Sequence, residues 1–452
     1  MKNSAILSVG RTFAAAMLFA ALALTFTVAD YYIFNRIAVY GAFAAAQWLK
    51  KAGLLLIPAA LFFGSRRCAD CAKYVIPVAV LISAFTCGGF FGITRVADTD
   101  AQAIYNSING FISTEAHTAL FCIESVCMLA ACGTLFCLYG FGVAPGSAKA
   151  LFAAIAASLP LNIFENFFDA DKIPEDSFLM FRNFSVWHFA AVALLAGATV
   201  GAYMFIRRRP ESERRMWLCA VAGALLLQYH SKDSMVMGDG YNIYTTVFSC
   251  LPLFICNIGV YTASLAVFTN KKALYATSFF VHAGGALTVF LYFGRDDMSD
   301  YGIFCSYSIL YFCATHVLLF MLCVLPAALG LYKFTIRQCI LPLIYYFAVI
   351  VCASVASAAV TGYSYSLGLT GEDAILPNYA FTQVNPLPFT VPALITLILW
   401  GYEINILYVM GLYAVYVGIF FTFYLLYRLY MQAYMRISAA VARMRVRARK
   451  AA

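Results

Sequence analysis

The chain has 452 residues, of which 63% are hydrophobic and 11% charged, and its formal net charge is +9. Soluble domains carry about 25% charged residues, so this composition excludes an ordinary soluble enzyme. The basic residues stand in short clusters between apolar runs rather than on one continuous stretch. This spacing argues against nucleic-acid binding and is typical of the connectors between membrane spans.

Apolar runs long enough to cross a ~30 Å hydrocarbon core as helices recur along the whole sequence. Backbone groups in lipid must find hydrogen-bond partners within their own segment, which favours helices. The sequence therefore predicts an all-α fold, a polytopic membrane helical bundle of about twelve transmembrane helices. The predicted runs are 12–34, 45–64, 74–94, 116–141, 150–167, 185–206, 216–230, 246–269, 274–294, 303–331, 338–361 and 393–428.

The charges of the connectors predict the orientation. Basic connectors such as Arg207–Arg209 alternate with acidic ones such as Asp296–Asp300. Basic connectors favour the cytoplasmic side, so both termini are predicted to be cytoplasmic in a multi-pass protein of the cell membrane. The N-terminal run is too long for the apolar part of a signal peptide and is interpreted as the first span. The segment Pro388–Trp400 is predicted to be a re-entrant, interfacial or broken piece that leads into a single final span.

Short similarities between the two halves predict a weak internal repeat of six helices each. Thr86–Gly89 is similar to Ala283–Ala286, and the segment after His117 is similar to the segment after His316. We therefore divide the chain into three parts: an N-terminal half that is predicted to be non-catalytic, a C-terminal half and a basic cytoplasmic tail. Their bounds are 1–209, 210–434 and 435–452.

Cys256 and His316 are the candidate catalytic pair. A thiol nucleophile needs a nearby base, because the thiolate is the reactive form. Cys256 lies about ten residues, or ~15 Å, into its predicted span, and His316 about thirteen residues, or ~20 Å, into its own. Both side chains are therefore expected in the outer half of the bilayer. Most of the other fourteen cysteines are predicted to be packing residues.

A set of short motifs in the second half carries a family resemblance. They are Leu251–Ile258, Lys272–Tyr275 leading into Gly284-Gly285, Thr315-His316, Asn378–Phe381 and Asn385–Pro388. With these motifs, residues 216–428 resemble the YwaF-type family of bacterial integral membrane proteins, whose animal relatives look like lysophospholipid acyltransferases with a catalytic Cys and His. The resemblance implies an intramembrane acyltransferase or lipid-remodelling enzyme. The Cys would be Cys256 and the His would be His316, with Phe254 where the family commonly has a second His.

Further residues are predicted to bind the substrate. His282 at membrane depth could serve as a second base or contact a lipid headgroup, and Glu403 could line a pocket. The family motifs add the others, so the full set is Asn257, His282, Asn378, Tyr379 and Glu403. The expected partners are membrane phospholipids or lysophospholipids, with no nucleic acid, no cofactor and no metal. Cys68-Ala-Asp-Cys71 has metal or redox spacing but lacks a second pair, so it is interpreted as structural.

Two alternatives stay open. Two halves of six helices are common among transporters, and polar residues within the spans could form an ion relay in a transporter or lipid flippase. The residues of that relay would be His117, Glu124, His282, His316 and Glu403. The other alternative is a non-catalytic membrane protein.

Overall fold

The computed structural model describes residues 41–86, 114–158, 177–231, 253–291, 303–369, 376–383 and 392–451. These residues are almost entirely helical. The α-helices are α1 (Gly41–Phe63), α2 (Arg66–Thr86), α3 (Thr114–Tyr139), α4 (Ser147–Ala157), α5 (Val186–Ile206), α6 (Glu211–Ser231), α7 (Ile255–Thr269), α8 (Lys272–Thr277), α9 (Ala283–Leu291), α10 (Tyr307–Ala328), α11 (Ile340–Ser366) and α12 (Ile406–Ala451).

Shorter elements interrupt or join these helices. A π-helical turn, Ser278–His282, links α8 to α9, and 3₁₀ turns cover Ile336–Cys339 and Tyr379–Phe381. The strands β1 (Thr396–Leu399) and β2 (Tyr402–Asn405) form an antiparallel pair.

Six of the described helical segments are long and apolar enough to cross a membrane. They are Cys122–Tyr139, Val186–Ile206, Lys272–Leu291, Ile309–Ala328, Ile336–Ser366 and Ile406–Ala433. The predicted class, a helical membrane bundle, is therefore confirmed. The count of about twelve spans and the two-half repeat are not confirmed. The first predicted run, 12–34, lies outside the described residues.

The chain divides into two compact units. The first takes its described residues from Met1–Pro252, Cys256–Tyr275 and Ala286–Lys333. The second takes them from Leu253–Ile255, Ala276–Gly285 and Phe334–Ala452. The predicted boundaries at 209 and 434 stay a prediction.

The core of the first unit lies among α1–α4 and one face of α6. Gly64, at φ +65°, ends α1 in the left-handed conformation, and α2 begins two residues later. This tight connection packs α1 against α2, since glycine adopts that conformation without a steric penalty. The buried side chains of this core are mostly alanine, leucine, isoleucine and cysteine.

A buried ion pair fixes the loop that follows α3. Lys73 Nζ lies 2.5 Å from Asp70 Oδ1, and both side chains are fully buried. Lys73 also donates to the carbonyls of Gly140 and Gly142, and the N–H of Ala144 donates to Asp70 Oδ2. Both charges thus have partners, which a buried charge requires.

Asp70 should make the stability of the first unit depend on pH. Burial alone would raise the pKa of Asp70, but the hydrogen bonds from Lys73 and Ala144 and the charges of Lys73 and Arg66 lower it below its ordinary value. A carboxyl with a lower pKa in the folded state contributes stability above its unfolded pKa of about 3.9, and loses it as the pH falls through the folded pKa. We expect the difference in melting temperature between the wild type and Asp70→Asn to shrink below about pH 4. A difference that is constant down to pH 2.5 would contradict this.

The second unit is built on aromatic packing between α11 and α12. Tyr346 is fully buried, and its ring contacts those of Tyr413, Tyr416 and Phe420 at centroid distances of 5.6, 5.3 and 5.1 Å. The three contacts are stacked, tilted and edge-on, in that order. Aromatic pairs of this kind stabilise by about 0.5–1.5 kcal/mol each beyond burial.

The last predicted apolar run, 393–428, is a β-hairpin followed by a helix. Its turn consists of Trp400 (φ +51°) and Gly401 (φ +81°), the two positive φ values that a tight two-residue hairpin requires. The predicted break before the final span is therefore present, and β1, which precedes Trp400, supplies it. The start of the predicted piece, Pro388, lies outside the described residues.

The hairpin turn approaches α11 closely at Gly362. A Cβ added to Gly362 would lie 2.6 Å from the Trp400 carbonyl oxygen, so the backbone of one element would have to move. We expect Gly362→Ala to lower the free energy of unfolding by about 1–3 kcal/mol, measured by thermal denaturation in detergent. Gly411→Ala is the matched control, because nothing lies within 4 Å of its added Cβ. Equal effects of the two substitutions would show that the contact at Gly362 is unimportant.

Candidate functional site

Cys256 lies in the first turn of α7. Leu253 and Phe254 are not helical, and α7 begins at Ile255. The predicted span 246–269 is thus not one continuous helix, and the prediction that Cys256 lies ten residues into it is wrong. The reason is local: the two residues before Ile255 do not have helical conformation, so Cys256 lies at the N-terminus of a helix.

The position of Cys256 suits a nucleophilic thiol. The side chain is half-buried, and its Sγ lies 3.6 Å from Oδ1 of Asn257, to which the thiol can donate a hydrogen. The first N–H groups of a helix have no acceptor within the helix and attract negative charge. A thiolate at Cys256, or an oxyanion formed beside it, would be stabilised there.

His316 lies in the middle of α10 and is 6% exposed. Its ring packs against Phe312 at a centroid distance of 4.2 Å and meets Phe290 edge-on at 6.5 Å. These contacts fix the plane of the ring.

A hydrogen bond within α10 determines which nitrogen of His316 carries the proton. Nδ1 lies 2.8 Å from the carbonyl oxygen of Phe312. A carbonyl only accepts, so Nδ1 is the protonated nitrogen and donates this bond. The lone pair of the neutral ring is therefore on Nε2, the form that a general base requires.

His188 is a useful contrast in the same unit. Its Nδ1 accepts from the N–H of Phe184 at 2.8 Å, and its Nε2 lies 2.8 Å from the carbonyl oxygen of Phe290. Both nitrogens of His188 are used by the backbone, so its role is structural. Through Phe290, whose ring meets His316, it supports the wall beside the candidate base.

Cys256 and His316 belong to the same compact unit, as does Asn257. The hydrogen bond from Cys256 to Asn257 lies within α7, and the one from His316 to Phe312 lies within α10. The other predicted binding residues (His282, Asn378, Tyr379 and Glu403) belong to the second unit.

Asn378 and Gln383 hold the two ends of a short loop in the second unit. The N–H of Asn378 donates to Gln383 Oε1 at 2.9 Å, and the N–H of Gln383 donates to Asn378 Oδ1 at 3.0 Å. Gln383 Nε2 also donates to Thr361 Oγ1 at 2.7 Å and to the carbonyl of Ser357 at 3.3 Å. The loop is thereby attached to α11.

The middle of the loop is held by further hydrogen bonds. The N–H of Tyr379 donates to Ser357 Oγ at 3.1 Å, and the hydroxyl of Thr382 donates to the carbonyl of Tyr379 at 2.8 Å. The hydroxyl of Tyr408 donates to the carbonyl of Phe381 at 2.5 Å. Tyr379 is 1% exposed. The predicted substrate-binding roles of Asn378 and Tyr379 stay predictions. Ser357 and Thr361 were not predicted, although their spacing of four residues places them on one face of a helix.

This loop is strained. Asn378, Ala380 and Phe381 have φ values of +45°, +50° and +59°. Asparagine tolerates the left-handed region, but alanine and phenylalanine there cost about 1 kcal/mol or more each. Phe254 packs edge-on against Tyr379 and Phe381, at centroid distances of 6.1 and 5.9 Å. The side chain of Phe254 therefore fits an aromatic environment.

Glu403 is exposed on β2. The predicted pocket-lining role of Glu403 stays a prediction, and the side chain of His117 lies outside the described residues. Cys68 and Cys71 are buried and are not joined in a disulfide, and the thiol of Cys71 donates to the carbonyl of Ser147. No group of three or more potential metal ligands occurs in the part of the chain that the structure describes. The structural interpretation of Cys68-Ala-Asp-Cys71 stays a prediction.

The sequence did not predict the partner of Glu124. Lys50 Nζ lies 2.7 Å from Glu124 Oε1, and the two side chains are 0% and 1% exposed. The sequence did contain a feature that indicates a buried ion pair, since Lys50 and Lys51 interrupt the apolar run 45–64. A lysine within a membrane helix requires a partner of opposite charge.

Comparison with known proteins places this chain in a family. The model of the TMEM164 family, a membrane protein family, matches residues 183–431, which is more than half of the chain. The chain belongs to the TMEM164 family. No curated protein and no solved structure matches it.

The TMEM164 region runs from α5 into α12, so it contains Cys256, His282, His316 and the strained loop. The helices α1–α4, with the Lys50–Glu124 pair, lie before it. The resemblance expected over 216–428 falls within this region, but the family found is TMEM164. A relation to YwaF-type proteins or to acyltransferases is not confirmed.

Proposed function

We propose that this TMEM164-family protein is a thiol-dependent acyltransferase, which moves a fatty acyl chain between membrane phospholipids and lysophospholipids. Cys256 is the nucleophile and His316 is the general base. The observation that carries the proposal is the hydrogen bond from His316 Nδ1 to Phe312, which leaves the base on Nε2.

Three features support the proposal. The two residues share one compact unit, and the thiol stands at a helix N-terminus that favours negative charge. His316 lies in a span, where ionisable residues are commonly functional. The third feature is the packing of the His316 ring against Phe312 and Phe290, which fixes the plane of the proposed base.

The first half-reaction forms a thioester. His316 Nε2 takes the proton of the Cys256 thiol, and the thiolate attacks the ester carbonyl of a donor phospholipid. The bond from the carbonyl carbon to the glycerol oxygen breaks, and that oxygen receives the proton from His316. The N–H groups at the start of α7 would stabilise the oxyanion. The products are a lysophospholipid and an acyl-Cys256 thioester.

The second half-reaction transfers the acyl chain. His316 takes the proton of a lysophospholipid hydroxyl, and the hydroxyl oxygen attacks the thioester carbonyl. The carbon–sulfur bond breaks, and the thiolate of Cys256 recovers the proton. Exclusion of water in the lipid environment would favour transfer over hydrolysis.

We also propose how the protein is oriented in the membrane. The protein would reside in the cell membrane with both termini cytoplasmic, as the basic connectors favour. It would have about twelve spans in two halves, of which the first is non-catalytic. The predicted substrate residue Asn257 would orient the thiol through its side-chain oxygen.

Transfer of a labelled acyl chain between a phospholipid and a lysophospholipid in liposomes tests the function. We expect the purified wild-type protein to catalyse this transfer, and Cys256→Ala to reduce the rate about a thousandfold or more. Cys313→Ala is the matched control, since Cys313 lies one turn before His316 on α10 and is a second thiol near the proposed base. Loss of transfer in Cys313→Ala but not in Cys256→Ala would overturn the assignment of the nucleophile.

A further inference from the structure

Three connectors of the first unit are basic and lie at the ends of membrane spans. Each borders a helical segment that is long and apolar enough to cross a membrane, so each is expected at the level of the lipid headgroups. Together they carry eight basic and two acidic residues. The connectors are 207–215 at the junction of α5 and α6, 270–272 before α8, and 329–333 after α10.

Hydrogen bonds from the start of α6 join these three connectors. The guanidinium of Arg214 donates through Nε to the carbonyl of Arg209 at 2.7 Å and through Nη1 to the carbonyl of Leu329 at 2.8 Å. The next residue, Arg215, donates to the side-chain oxygen of Asn270. The bias of basic residues toward one side of a membrane requires no such contacts. The basic residues of the three connectors are therefore gathered into one place.

Aromatic side chains lie directly beside the basic residues. Phe205, in the last turn of α5, meets Trp217 edge-on at a centroid distance of 5.0 Å. The guanidinium of Arg209 lies 4.9 Å from the centre of the Phe205 ring. Tryptophan is enriched where the hydrocarbon core of a membrane meets the headgroups. This arrangement favours a partner within the membrane surface over a soluble one.

The two acidic residues of the connectors are already paired. Glu213 lies 3.3 Å from Arg209, and Glu211 lies 2.8 Å from Arg215. Four other basic side chains are exposed and form no ion pair in the part of the chain that the structure describes, and we name them the connector cluster: Arg208, Lys271, Lys272 and Lys333. Their charges are available to a ligand.

We propose that the connector cluster binds the headgroup of a membrane phospholipid that carries several negative charges, such as a phosphatidylinositol bisphosphate. Lysine and arginine form charge-assisted hydrogen bonds with phosphate oxygens, and groups of four or more beside a membrane span attract anionic headgroups. Four cations from three connectors exceed the single charge of a phosphodiester. A phosphomonoester adds about two negative charges, so a headgroup with phosphomonoesters matches the cluster better. This site does not depend on the acyltransferase chemistry.

The experiment measures lipid binding to the full-length protein in detergent by native mass spectrometry. We expect phosphatidylinositol 4,5-bisphosphate to bind about tenfold more tightly than phosphatidylserine, and phosphatidylcholine not to compete. The triple variant Lys271→Gln, Lys272→Gln and Lys333→Gln should weaken binding of the bisphosphate lipid roughly tenfold or more. Its melting temperature should stay close to that of the wild type, because the three side chains are exposed.

A second triple variant tests whether total charge alone explains the binding. It replaces Arg67, Lys149 and Arg428 by glutamine, and these three residues are exposed outside the three connectors. Binding should change less than about twofold. Equal losses in the two triple variants would overturn the inference, and so would equal binding of phosphatidylserine and the bisphosphate lipid.

Soluble inositol 1,4,5-trisphosphate tests whether the ligand is a membrane lipid. It carries phosphomonoesters but no acyl chains, so it should compete only weakly with the lipid. Competition as strong as that of the lipid would contradict a membrane ligand. Should a variant fail to fold, the lipid preference of the wild-type protein decides alone. Acyl transfer can persist or fail in each of these cases, so the two proposals are tested separately.

Discussion

Replacement of Glu124 by leucine is expected to lower the free energy of unfolding of the first unit by about 3–5 kcal/mol. Lys50 would then keep its charge in a buried position without the carboxylate that lies 2.7 Å from it. Removal of one partner of a buried pair is strongly destabilising, because the remaining charge is neither solvated nor neutralised. Chemical denaturation in detergent measures the effect.

Two control variants test whether the lost stability comes from breaking this buried ion pair or from removing a carboxylate in general. Glu213→Leu breaks the ion pair between Arg209 and Glu213. The side chains of these two residues are 42% and 43% exposed. An exposed pair contributes about 0–1 kcal/mol, so this change should be small. The double variant Lys50→Met with Glu124→Leu should recover most of the lost stability, because both charges are gone. If the double variant is as unstable as Glu124→Leu, the pair is not the cause.

The second large effect concerns His316. His316→Gln should reduce acyl transfer by about 10²–10⁴, the usual contribution of a general base. Glutamine can still donate to the carbonyl of Phe312 but has no basic nitrogen, so stability should change little. The initial rate of transfer and the melting temperature are measured on the same preparation.

His188→Gln is the matched control for His316→Gln. His188 is a buried histidine of the same unit, and both of its nitrogens bond to the backbone. Its replacement should lower the melting temperature while the rate per folded molecule stays within a few fold of the wild type. Equal losses of rate in the two variants would mean that His316 acts through packing and not as a base.

The class of fold follows from composition and the length of the apolar runs, because lipid allows few other structures. The β-hairpin before α12 was predicted only as a break. Its apolar residues do not distinguish a strand from a helix, and the turn at Trp400-Gly401 is a local signal that is easily missed. The start of α7 at Ile255 was likewise not predicted, since Leu253 and Phe254 are as apolar as the helix that follows.

Several features of the site depend on contacts between segments that are far apart in the sequence, and local patterns do not predict such contacts. Cys256 and His316 could be named from residue chemistry and a family motif, but the protonation of His316 depends on its geometry toward Phe312. The partner of Glu124 is a lysine on another helix, and no local pattern connects the two. The hydrogen bonds of the Asn378–Gln383 loop also join segments that are separate in the sequence.

The most direct test of the central claim is the covalent intermediate. The purified protein is incubated with a phospholipid that carries a labelled acyl chain, without acceptor, and its peptides are analysed by mass spectrometry before and after treatment with hydroxylamine. A thioester at Cys256 predicts a labelled acyl group on the peptide that contains this residue, removed by hydroxylamine at neutral pH and absent in Cys256→Ala. Transfer activity without this adduct, or an adduct that persists in Cys256→Ala, would contradict the proposed mechanism.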